Sequence, residues 1–71
     1  MNKSNGKERI LAVERILSTR PKKTQQILNI LQYEYDIIAE IKAIYNDIAI
    51  LSKFINIQKN KDGYYVENDL S

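Results

Sequence analysis

The chain has no cysteine, no histidine and no tryptophan, and a single proline among its 71 residues. Without cysteine there is no disulfide staple and no thiolate nucleophile. Without histidine as well, the usual zinc ligands and the usual general base near neutral pH are both missing. The carboxylate pairs that remain, Asp36 with Glu40 and Asp62 with Glu67, have neither metal-ligand spacing nor a glycine-rich loop beside them. Catalysis, a metal centre and a cofactor are therefore not expected. Long apolar runs are lacking too. Ile10–Val13 and Ile48–Leu51 are four residues each, far short of a membrane span. Met1–Lys7 has a basic start with no apolar segment behind it, so no signal peptide is expected and the expected location is the cytoplasm.

What is present is the balance of a folded domain, 44% apolar and 28% charged residues. A chain of this length makes one small unit with a modest core and a thin stability margin, so residues 1–71 are read as a single domain. Its net charge of +2 is unevenly spread. Residues 1–23 carry seven Lys/Arg against two acids, a net +5, and residues 24–71 carry four lysines against seven acids, a net −3. A chain with one basic end can meet a polyanion on one face, though lysines also serve as ordinary solvated charge.

Apolar spacing divides the chain into three helices and a hairpin. Asn5, three residues ahead of Glu8, is a candidate N-cap. Ile10, Val13 and Leu17 then share one helical face, with Leu11 and Ile16 widening it, until Ser18-Thr19-Arg20-Pro21 ends the run. Thr24 is the candidate cap of a second helix, whose buried face is Ile27, Leu28 and Leu31 with Ile30 beside them, and which fades in Tyr33–Asp36. A third helix runs from near Glu40 to about Lys53 on the core positions Ile44, Ile48 and Leu51, with Lys42, Asn46, Ala49 and Lys53 facing outward. The period then falls to two. Phe54–Gln58 alternates as a strand, Asn60-Lys61-Asp62-Gly63 supplies a turn, and Tyr64-Tyr65-Val66 returns. Residues 1–5 and 67–71 are expected to fray.

This order is mainly α with a small β-hairpin, and it suits either a plain three-helix bundle with a hairpin or a winged helix-turn-helix. The residues that favour the second are Ile44-Tyr45-Asn46-Asp47-Ile48 with Leu51, followed by Lys61-Asp62-Gly63-Tyr64-Tyr65. The stretch from Thr24 to Tyr65 resembles the winged helix-turn-helix domains at the N-termini of DeoR-like and WYL-domain bacterial regulators. It is also similar to the DNA-binding domain of the bacterial arginine repressor. In the first of these families the third helix reads arginine-arginine-threonine-isoleucine-tyrosine-arginine-aspartate-isoleucine. Here the first three positions are Ile41-Lys42-Ala43 and the next arginine is Asn46, so the apolar skeleton and Asp47 are kept while most of the DNA-facing cations are replaced.

The resemblance implies a small DNA-binding transcriptional regulator. Its third helix would present Lys42 and Asn46 to base edges, and Arg20, Lys22, Lys23, Lys53, Lys59 and Lys61 would meet phosphates. Double-stranded DNA is then the expected partner, with no membrane and no small-molecule ligand. The rival expectation is a protein-interaction module. Tyr33, Tyr35, Ile38, Ile41 and Ile50 lie outside the main core stripe and could together form an apolar patch for a homodimer or another protein, unless Ile38 and Ile50 complete the core. Asp47 is expected to be an ion-pair or hydrogen-bond acceptor that fixes helix packing.

Overall fold

A computed structural model describes residues 6–67. Its order is α1 (Gly6–Leu17), α2 (Thr24–Glu34), α3 (Ile41–Leu51), β1 (Ile57–Asn60) and β2 (Gly63–Val66). The three helices precede a two-stranded antiparallel hairpin, which is the three-helix winged helix-turn-helix plan. The expected cap at Asn5 and the ends at 1–5 and 68–71 lie outside the described residues. Among the described residues, no helix is long and apolar enough to cross a membrane.

Each helix contributes to one core. Val13 and Leu17 of α1, Ile27 and Leu31 of α2, and Ile44 of α3 are all but fully buried, with Ala12, Ile16, Ile48 and Leu51 completing the centre. These positions recur at three- and four-residue spacing, so each helix presents one apolar stripe to the other two. Leu11 does not widen the α1 stripe as the spacing suggests. It is 59% exposed, at the edge of the core beside Ala12.

Helix ends are set by local hydrogen bonds. The Ser18 and Thr19 hydroxyls donate to the carbonyls of Glu14 and Ile16, both at 2.8 Å, and Pro21 then prevents continuation. Thr24 is the first residue of α2 and not its cap. Lys23 holds the cap position, and its N–H donates to Gln26 Oε1 at 2.8 Å. At the other end of α2, Asp36 takes a positive φ of 58° and reverses the chain. The Ile37 N–H reaches back to the Leu31 carbonyl at 2.8 Å, which drops the Ile37 side chain into the core. Ile38 is consequently turned out and 81% exposed, so it does not complete the core, and Ile50 is exposed as well.

The strand begins later than alternation alone suggests. After α3 the chain keeps winding: Ser52 Oγ donates to the Ile48 carbonyl at 2.8 Å, and the Phe54 and Ile55 amides both reach the Leu51 carbonyl at 2.9 Å. Phe54 is therefore part of an exposed turn, and pairing starts at Ile57 opposite Val66. The register runs Gln58 to Tyr65, Lys59 to Tyr64 and Asn60 to Gly63, leaving Lys61-Asp62 as the turn. Asn60 and Gly63, the outer residues of the expected turn, are thus the last pair of the hairpin. Asn60 Oδ1 accepts the Asp62 N–H at 2.8 Å and closes the loop. Beyond the hairpin, the Glu67 N–H is held by the Asn56 carbonyl at 2.7 Å, at the residue where fraying was expected to begin.

Candidate nucleic-acid interface

The hairpin is tied to the linker between α1 and α2. Lys22 and Tyr64 form an antiparallel bridge, with each N–H donating to the other's carbonyl at 2.9 Å. Lys22, Tyr64 and Lys59 therefore stand in one row across three chain segments. Gly63 makes this approach possible. Its φ is 124°, and a Cβ there would lie 2.2 Å from the Lys22 carbonyl carbon and oxygen. The Lys59 ammonium sits 5.3 Å from the centre of the Tyr64 ring, within cation–π range.

This bridge gathers cations that are distant in sequence. A cleft of about 280 Å³ is lined by Lys23 and Thr24 at the start of α2, Tyr45 of α3, and Lys59, Asn60, Lys61, Gly63 and Tyr64 of the hairpin. An adjoining cleft of about 600 Å³ is lined by Arg20, Pro21, Lys22, Lys23, Gln26 and Asp62. Of the eight residues expected to meet DNA, Arg20, Lys22, Lys23, Lys59 and Lys61 thus share one edge, with Lys23 common to both clefts. Lys42, Asn46 and Lys53 do not line either cleft. All three are exposed, Lys42 and Asn46 on the outward face of α3 with Ala49, and Lys53 in the turn just after that helix. None of the seven cations is paired to a carboxylate among the described residues. Unpaired cations spaced along one edge are free to neutralise an anionic partner.

Tyr45 was not picked out by the sequence as a contact residue. It is half-exposed, three residues from Lys42 and beside Asn46, and it is the point where α3 enters the cleft. A tyrosine between core positions gives no signal of its own in a sequence, because its use depends on where the hairpin comes to lie.

Behind this face, Asp47 is the one buried charged residue of the described core, 2% exposed. Arg9 of α1 holds it with both ends of its guanidinium fork, Nε to Oδ2 at 2.5 Å and Nη2 to Oδ1 at 2.9 Å. The hydrogen bond to Asp47 raises the Arg9 pKa above its ordinary value; burial opposes it, and the charge of Asp47 adds a smaller rise. Asp47 is therefore the packing acceptor that its position suggested, and the pair fixes α3 against α1.

The residues considered for a protein interface are all exposed, Tyr33 (79%) and Ile38 most of all. Tyr35 lines a separate groove beside α1 and belongs to neither basic cleft. No family model matches this chain, and neither a curated protein nor a solved structure matches it.

Proposed function

We propose that this chain binds duplex DNA as a small transcriptional regulator acting in the cytoplasm, without catalytic activity of its own. The observation that carries the reading is the Lys22–Tyr64 bridge, which brings the basic linker and the basic wing to one edge beside the exposed face of α3. On this reading α3 enters the major groove, where Asn46 can pair with adenine and Lys42 can reach guanine or a phosphate. Lys59 and Lys61 on the wing, Arg20, Lys22 and Lys23 on the linker, and Lys53 after α3 meet the flanking backbone. Tyr45 adds a hydroxyl donor where α3 meets the wing.

The test is fluorescence anisotropy of a labelled random-sequence duplex at low and at physiological salt. The wild-type chain is compared with a Lys42→Glu/Lys61→Glu double variant. Binding is expected at low salt, and with six or more phosphates contacted it should weaken by about 10³-fold or more between roughly 50 and 200 mM salt. The double variant should lose it. A folded wild-type protein that binds no duplex even at low salt refutes the reading.

A second reading rests on the exposure of Tyr33 and Ile38, large apolar side chains at the end of α2 and in the loop before α3. Exposed side chains of this kind suit a protein-interaction module built on the same scaffold. Tyr33→Ser/Ile38→Ser leaves DNA binding intact if the first reading holds alone.

A further inference from the structure

The outward face of α1 carries a pattern that the basic edge does not use. Leu11, 59% exposed in mid-helix, borders a groove of about 420 Å³ whose other walls are Glu8, Ala12, Arg15, Tyr35 and Ile37. Glu8, Leu11, Ala12 and Arg15 share one helical face. Their order is acid, apolar pair, base, and it is symmetric: Glu8 stands three residues before Leu11, and Arg15 three after Ala12.

We propose that the chain forms an isologous homodimer by seating α1 of a second copy, antiparallel, in this groove. With the two-fold axis midway between Leu11 and Ala12, each Leu11 faces Ala12 of the other copy, and each Glu8 faces the other copy's Arg15. The contact is self-complementary, as a two-fold interface must be. Ala12 at the groove floor lets the second helix come close, and Tyr35 and Ile37 give Leu11 an apolar lining. Glu8 makes an interaction within its own chain, and a carboxylate has acceptor sites enough to take a guanidinium in addition. Charge also sets the register. Moving the axis onto Leu11 itself would place Arg15 against Lys7 and Glu14 against Glu8, like against like. The groove shares no lining residue with either basic cleft. The dimer does not depend on DNA being the ligand. If it is, two copies of α3 on one assembly suit a two-fold symmetric target.

Sedimentation equilibrium over the micromolar range tests this with charge reversals. The wild-type chain is expected to self-associate. Glu8→Arg and Arg15→Glu should each weaken self-association by on the order of tenfold or more, since each sets like charges against each other twice. An equimolar mixture of the two variants regains complementarity at both contacts and should associate as the wild type does. Leu11→Glu should be monomeric, with circular dichroism showing that its helices persist. A wild-type chain that stays monomeric up to about 1 mM overturns the proposal. So does a dimer that both single variants leave intact, or a mixture that fails to recover.

Discussion

Replacing Arg9 by methionine is the perturbation with the largest effect expected from a single contact. Asp47 is 2% exposed and both of its oxygens are satisfied by the Arg9 fork. Methionine keeps much of the aliphatic packing and removes the guanidinium, so the carboxylate is left buried with neither partner. Breaking a buried pair in this way costs about 3–5 kcal/mol. Arg9 is itself 22% exposed, so water can reach the gap from that side and the low end, about 3 kcal/mol, is expected. A domain of this length has a total stability of only about 4–10 kcal/mol. The variant should therefore lose about 30% of it or more, seen as a fall of about 12 °C or more in Tm, at about 4 °C or more per kcal/mol, or as a matching drop in the urea midpoint.

The second half of the cycle separates pairing from burial. In Arg9→Met/Asp47→Leu no charge remains to be solvated, and most of the lost stability should return. A loss below about 1 kcal/mol for Arg9→Met, the size of an exposed ion pair, would refute the reasoning. It would mean that Asp47 reaches water in solution and that the pair does not hold α3 in place.

Three further outcomes follow from individual contacts. Gly63→Ala should cost well over 1 kcal/mol, because a Cβ would collide with the Lys22 carbonyl at 2.2 Å; thermal melting measures the loss, and hydrogen exchange at the Lys22 and Tyr64 amides should accelerate. Ile37→Ala should destabilise by about 2–5 kcal/mol, whereas Ile38→Ala, changing a residue already in water, should stay within about 0.5 kcal/mol; equal effects would show that the turn at Asp36 is not the one described. The raised Arg9 pKa gives the pair's dependence on alkali its sign: its contribution is complete below the unfolded arginine pKa and is lost only as pH rises through the higher folded one. The stability gap between wild type and Arg9→Met should accordingly stay constant from neutral pH to about pH 11, as urea titrations at several pH values would show.

The helices and their core faces were legible because periodicity is a local property: Ile27 and Leu31, or Ile44, Ile48 and Leu51, are bound to share a side once a helix forms. Apart from Leu11 in mid-helix, the misplacements arise where the chain enters or leaves a helix. Alternation at Phe54–Gln58 has the pattern of a strand, but bonds back to the Leu51 carbonyl keep Phe54 and Ile55 in the turn. Neither Ile37 nor Ile38 is marked as the inward residue by spacing; the positive φ at Asp36 decides it. The basic edge was readable as a set of residue types but not as a place. Lys22 and Lys59 are far apart in sequence, and only the bridge through Tyr64 puts them in one row.

The same distinction explains why α3 needs a buried charge. This helix is apolar over more than one face, since Ile41 and Ile50 flank the core stripe of Ile44, Ile48 and Leu51 and are exposed. Hydrophobic burial is non-directional and distinguishes poorly between such neighbouring stripes. A roll of one residue position, about 100°, would bring Ile41 or Ile50 inward in place of Ile44 and Ile48. It would also carry Asp47 away from Arg9, and the two-pronged geometry of that pair tolerates no such displacement. The ion pair thereby selects the roll that leaves Lys42, Tyr45 and Asn46 facing outward beside the wing. The residue that orients the exposed face of α3 is thus one that is itself buried, 2% exposed behind that face.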